Sequence, residues 1–211
     1  MFNEEIVEFG KKIIEELCKK NRFRDPDIQQ GVDGEREHAI TVLSWVKKLK
    51  KNPSMPLQIS ALFHDIDRLV TTGSGGGFEG DRKSKDYLLY KKRHAKRSAE
   101  YTCQKLEEFN IKQSIIYKTH FLIEHHDDTL SEIDSYQDND LEILVAADVF
   151  SWFSTTGIKL LHTEGEKRTK DKLRFMLSKT PNFALKLLSE MKINNSTLDK
   201  LKNQVFKENS K

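Results

Sequence analysis

Six side chains able to bind a metal ion recur along this chain: His38, the adjacent pair His64-Asp65, His94, His125 (with His126 beside it) and Asp148. Successive members are separated by about one helix and its connection. A helical bundle could therefore bring all of them to one interior point. Imidazole nitrogens mixed with carboxylate oxygens suit a transition metal such as Mn, Fe, Co, Ni or Zn, whereas an all-oxygen set would point to Mg or Ca. The His-Asp dipeptide alone says little, because a second one, His126-Asp127, is also present. The information lies in the series.

Each member has a plainer explanation that must be weighed. Asp65 sits among Leu62, Phe63 and Ile66, where burying a carboxylate is costly unless a cation neutralises it. The plain alternative to a metal is an ion pair with Arg68, three residues on. Asp148 is the only charge in Leu144 to Phe153, and its alternative partner is a hydroxyl such as Ser151. His38 alone would read as a satisfied, half-buried histidine. His94 lies in a basic run, Lys91-Lys92-Arg93 before it and Lys96-Arg97 after it, which is ordinarily a solvated face. If His94 faces a metal, Arg93 or Arg97 is close enough to engage a substrate phosphate, which arginine grips with two parallel hydrogen bonds. Between His125 and His126 the apolar stripe of Ile115, Ile116, Leu122 and Ile123 does not decide. His125 is favoured, and His126 is retained as an additional ligand or a group behind the ligands. His120 and His162 read as surface or supporting groups.

The elements that must position these side chains are all helical by periodicity. Ile6, Phe9, Ile13 and Leu17 predict an amphipathic helix over residues 3–20. A loop is predicted around Asp25-Pro26 and Gly31 to Gly34, after which Glu35 opens a helix with His38, Val42, Trp45 and Leu49 on one face. Leu57 to Val70 predicts one continuous helix with His64-Asp65 at its centre. Helices are further predicted at 87–109, 113–126, 140–155, 167–178, 183–191 and 198–206. Between them, residues 71–86 carry five glycines with Ser and charge. That composition reads as a flexible surface loop able to fold over a ligand. No P-loop is present, since no Gly-Lys-Ser/Thr ends the glycine run. No alternating β-branched pattern or internal repeat occurs, so the expected class is all-α.

Bulk composition narrows the functional classes. The 211 residues, 36% of them hydrophobic, suffice for one domain with a buried core. We expect a single domain over 1–211, its motif core at about 35–153 and a helical extension at 167–211. With 36 basic against 33 acidic residues, charge makes no case for nucleic acid or a membrane surface, so phosphate affinity must be local. Two cysteines, Cys18 and Cys103, without a Cys-x-x-Cys motif, fit a reducing compartment. The amino terminus lacks signal-peptide order, and a cytoplasmic location is expected. The amphipathic terminal helices could serve a homodimer or complete the core.

At these residues the chain resembles the HD superfamily of metal-dependent phosphohydrolases, whose signature is a distant His, then His-Asp, then a distant Asp on an all-α helical core. The resemblance covers roughly Glu35 to Phe153. Ala61-Leu-Phe-His-Asp-Ile-Asp-Arg68 is similar to the family's apolar-apolar-x-His-Asp-Ile-Gly-Lys/Arg, and Ala147-Asp148 to its closing Ala-Asp. The resemblance implies that His38, His64, Asp65 and Asp148 hold one divalent metal. It also implies that His94 and His125 complete a second site bridged by Asp65. Asp65 and Arg68 would act in catalysis, with Arg68 in the place of a phosphate-binding Lys. The implied reaction is hydrolysis of a small-molecule phosphate ester, such as a nucleotide, by a metal-activated water. The Gly-Tyr-Pro element of the cyclic-dinucleotide branch and the Glu-Asp of the alarmone hydrolases are both missing. Two alternatives share the ligand set: a mixed-valent diiron oxygenase and a non-catalytic nucleotide-binding domain.

Overall fold

The computed structural model describes residues 3–20, 26–71 and 84–209. Among them are eleven helices and no strands, the all-α class expected. The glycine-rich segment falls mostly at 72–83, so the proposed lid lies outside the described residues.

Two hydrophobic clusters organise the chain around one central helix. The first is built from α1 (Asn3–Lys20), α2 (Pro26–Leu49), α3 (Met55–Phe63), α4 (Ile66–Thr71), α5 (Lys85–Glu108), α6 (Gln113–His125) and α7 (Leu130–Tyr136). The second joins α9 (Thr156–Ser178), α10 (Asn182–Glu190) and α11 (Ser196–Asn209). Between them runs α8 (Asn139–Ser154), contributing Leu144, Val145 and Ala147 to one cluster and Ala146, Val149 and Phe150 to the other. A helix that is apolar all round has no face to give to water and must be surrounded. The terminal helices complete these clusters: α1 buries Ile6, Val7, Ile13 and Ile14, and α11 buries Leu198, Leu201 and Val205.

Four features depart from the sequence reading, each for a local reason. The loop expected before Glu35 is helix, because α2 already begins at Pro26, and proline is tolerated in the first turn, where its missing N–H costs nothing. The single helix expected over Leu57 to Val70 is two, α3 and α4, with His64-Asp65 forming the turn between them. Adjacent residues on a helix point roughly 100° apart, and the turn lets both side chains face one place. Two helical stretches were not foreseen. α7 is short, yet it opens with a capping box in which the Thr129 hydroxyl accepts from the Glu132 N–H and Glu132 accepts from the Thr129 N–H. The first half of α9, Thr156 to Glu164, precedes a kink at Gly165, whose φ of 77° suits glycine.

Because α8 is enclosed on every side, truncating it is expected to be costly. Leu144→Ala removes a fully buried side chain and should lower unfolding stability by about 2–5 kcal/mol. Urea denaturation of the variant beside the parent chain measures this, and a loss below about 1 kcal/mol would contradict the central placement of α8.

Candidate metal centre

Five of the six expected ligands, with His126, converge where α2, the α3–α4 turn, α5, the end of α6 and α8 meet. His38, His64 and Asp65 form one group whose donor atoms all lie within 4.8 Å of one another. Asp65, His94 and His126 form a second with the same spacing. Asp65 belongs to both. Its Oδ1 lies 2.6 Å from His94 Nε2 and 3.5 Å from His126 Nε2, and its Oδ2 lies 3.8 Å from His64 Nε2. Asp148 Oδ1 borders the first group, 3.2 Å from His38 Nε2 and 3.9 Å from His64 Nε2.

In every one of the four histidines, Nδ1 is held by the protein and Nε2 is turned to the cluster. The Nδ1–H of His64 donates to the Ala61 carbonyl at 3.2 Å, and that of His126 to the Ile123 carbonyl at 2.7 Å. His38 Nδ1 lies 3.0 Å from the Ser151 hydroxyl, which itself donates to the His38 carbonyl. His94 Nδ1 lies 3.0 Å from Asp67 Oδ2. Anchoring one ring nitrogen to a carbonyl or carboxylate is how proteins orient metal-binding imidazoles and set their tautomer. A further sign is that His64 Nε2 is buried without a hydrogen-bond partner among the described residues. An orphaned acceptor in an apolar interior is costly, and a cation between these donors would satisfy it. The residues present therefore fit a metal ion.

The protonation pattern follows from the same neighbours. Burial pushes the His64 imidazole down to about 3, so it stays neutral with its lone pair available. Burial also opposes the charged forms of His38 and His94, but the carboxylates of Asp148 and Asp65, with Asp67 beside His94, outweigh it and raise both. Asp65, Asp127 and Asp148 would be pushed up by burial, yet each is held well below the ordinary carboxylate range by cations: Arg68 at Asp65, Lys179 and Lys91 at Asp127, and Lys179 at Asp148. Lys179 Nζ bridges the last two, 2.7 Å from Asp127 Oδ1 and 2.9 Å from Asp148 Oδ2.

The placement of the expected residues brings corrections. His126, 1% exposed, occupies the position for which His125 was favoured. The His125 side chain is 25% exposed, lies 2.7 Å from Asp128, and packs on Phe121 and Tyr136. The buried stripe of α6 runs Ile116, Thr119, Ile123 and on to His126, and the polar Thr119 hides it from a reading based on apolar spacing. Asp148 is not held by Ser151, which serves His38 instead. Arg93 is exposed and does not line the cavity beside the cluster. Arg97 is not directed at that cavity either, because its guanidinium grips Asp67 at 2.8 and 2.7 Å and so fixes the carboxylate behind His94. Arg68 does line the cavity, paired with Asp65 at 3.1 Å and Glu35 at 3.1 Å. The ion pair weighed for Asp65 is thus present on Oδ2, while Oδ1 faces His94 and His126.

That cavity, about 330 Å³, opens directly onto Asp65, His38, His126 and Asp148. It is also lined by α9, with Lys159 and Thr163 one turn apart before the Gly165 kink, Arg168 and Lys172 one turn apart after it, and Lys179 just beyond the helix end. The sequence reading missed these cations and also Lys91, Asp127 and Glu35. Basic residues at helical spacing look like a solvated face until the fold shows what the face covers. Asp127 had a local signal in the second His-Asp pair, whereas Lys179 had none.

Two outcomes are expected of metal titrations. Asp67→Asn leaves the His38 group intact but releases His94, so one class of metal site should weaken about 10–100-fold while the other is unchanged. Isothermal titration with Mn measures both, and parallel weakening would contradict the two-group arrangement. A metal must also displace the protons on His38 and His94. Since both hold them above the ordinary value of about 6.5, affinity should be level at alkaline pH and begin to fall already above pH ~6.5 as pH drops. The slope should reach up to about tenfold per pH unit per histidine, and a profile flat down to pH ~5 would exclude these ligands.

Comparison with known proteins returns one family. Residues 12–205 match the family model described as a domain of unknown function (DUF4202). No curated protein and no solved structure matches the chain. A match over nearly the whole chain, spanning every metal-facing residue and the α9 wall, places this protein in the DUF4202 family.

Proposed function

We propose that this protein is an HD-type, metal-dependent phosphohydrolase that holds two divalent transition-metal ions and cleaves a small-molecule phosphate ester such as a nucleotide. The observation that carries this reading is Asp65, one carboxylate shared by two groups of metal donors at the mouth of a cavity lined by cations. The ions, held by His38, His64, Asp65 and Asp148 and by Asp65, His94 and His126, would supply Lewis-acid charge and a nucleophilic water at neutral pH.

The chain's own groups then have definable tasks. Asp65 is fixed by Arg68 on one oxygen and approached by His94 and His126 on the other, so its position is set before a ligand arrives. Arg68 presents a planar fork at the cavity edge, suited to two oxygens of a phosphate. Lys91 and Lys179, anchored on Asp127, add positive charge in a partly desolvated cleft, where it acts more strongly on developing phosphoryl charge than in water. His94 keeps its Nδ1–H on Asp67 throughout, which supports its Nε2 as a donor.

The cations favour phosphate over the carbon-cleaving oxygenase chemistry that shares this ligand order. No single helix among the described residues is long and apolar enough to cross a membrane, and a reducing, cytoplasmic setting belongs to the reading because Cys18 and Cys103 are free thiols.

The test is elemental analysis of protein purified without a histidine tag, then phosphate release from a phosphodiester and a nucleotide panel with Mn, Co, Ni and Fe. About two ions per chain and metal-dependent release are expected. Asp65→Ala should abolish both while leaving helical content by circular dichroism largely intact. Tightly held iron without phosphate release, or full activity in Asp65→Ala, would overturn the reading.

A further inference from the structure

Six cations line the cavity, and four of them are committed. Arg68 pairs with Asp65 and Glu35, Lys91 with Asp127, Lys179 with Asp127 and Asp148, and Arg168 with Glu164 at 3.3 Å. Lys159 and Lys172 line the same space with no carboxylate partner among the described residues. Both belong to α9, one on each side of the Gly165 kink.

Lys172 is the more informative of the two. Its ammonium lies 4.9 Å from the centre of the Phe175 ring, and that of Lys91 lies 5.9 Å from the same ring, so both charges border one aromatic side chain. Burial, with Lys91 and Lys179 close by, pushes Lys172 down to about 7. An uncompensated cation in a half-enclosed cleft costs free energy unless an anion joins it. Arg168, one helical turn before Lys172, presents its guanidinium on the same face. The carboxylates that act on Lys172, Asp127 and Asp148, are both already engaged by Lys179 at 2.7 and 2.9 Å, so neither is free to supply that anion.

We propose that Lys172 and Lys159, with the Glu164-paired Arg168 beside them, form a second anion subsite on α9, and that the substrate is a phosphate ester bearing a second phosphoryl group, a diphosphate or a bisphosphate. The inference rests on the phosphate-ester reading of the metal cluster. The scissile phosphate would sit against the metal donors and Arg68, and the second against α9.

Inorganic pyrophosphate is the probe, titrated calorimetrically into the full-length, metal-free chain, where the subsite depends on side chains alone. Binding is expected to weaken roughly tenfold or more in Lys172→Gln, to weaken in Lys159→Gln, and to be largely restored in Lys172→Arg. Equal binding by all variants, or none by the parent chain, would overturn the subsite. Metal content measured on the same proteins separates the two readings. Lysine-dependent pyrophosphate binding in a chain that takes up no metal would preserve the subsite and remove the hydrolase. Metal uptake and ester hydrolysis with lysine-independent binding would do the reverse.

Discussion

Three carboxylates, Asp65, Asp127 and Asp148, are enclosed by the apolar helices at the middle of this protein. An ionised carboxylate taken out of water costs on the order of several kcal/mol after relaxation, and much of the surrounding structure meets that cost. Arg68 reaches Asp65, Lys91 reaches Asp127, and Lys179 spans Asp127 and Asp148. Toward the histidines the compensation takes a different form. Where His38, His64, His94 and His126 turn their Nε2 atoms inward, the carboxylate oxygens face imidazoles, and one of these nitrogens has no partner among the described residues. A folded interior that satisfies its charges with lysine on one flank and leaves lone pairs converging on the other is arranged for a cation.

The helices carry this arrangement through simple devices. α8 is buried all round, so Asp148 cannot escape to solvent, and Ser151, three residues on, reaches back to His38 and fixes its ring. The break between α3 and α4 turns His64 and Asp65 toward the same point. Asp67 and Arg97 make a further layer, a carboxylate gripped by a guanidinium so that it can hold His94. Each device fixes a ring or carboxylate before any ligand is present, and that preorganisation is what lets donors act without the cost of ordering them.

The carboxy-terminal helices have a separate task. They form their own hydrophobic cluster with α8, and the kink at Gly165 divides α9 into two stretches that both border the cavity. The candidate donors thus come from the first cluster and α8, and the lysines without a carboxylate partner among the described residues from the second. A cleft with walls built by different parts of the chain can vary its ligand by changing one wall while the other keeps its chemistry.

The sequence alone determined the helical class, from apolar periodicity, and named His64, Asp65 and Asp148 because polar groups inside apolar runs are conspicuous without a fold, and His38 and His94 because they continue the same series at helix-length intervals. Tertiary structure decided the rest. His126 replaced His125 because a side chain's direction on α6 depends on which stripe is buried, and Thr119 marks that stripe only once packing is known. Arg97 became a support and Arg93 a surface group, since nearness in sequence to His94 does not settle which way a helical side chain points. The α9 cations escaped notice for the same physical reason. A basic helix face has the same spacing whether it meets water or a neighbouring wall, and only the folding of α9 over α8 made it the side of a cavity.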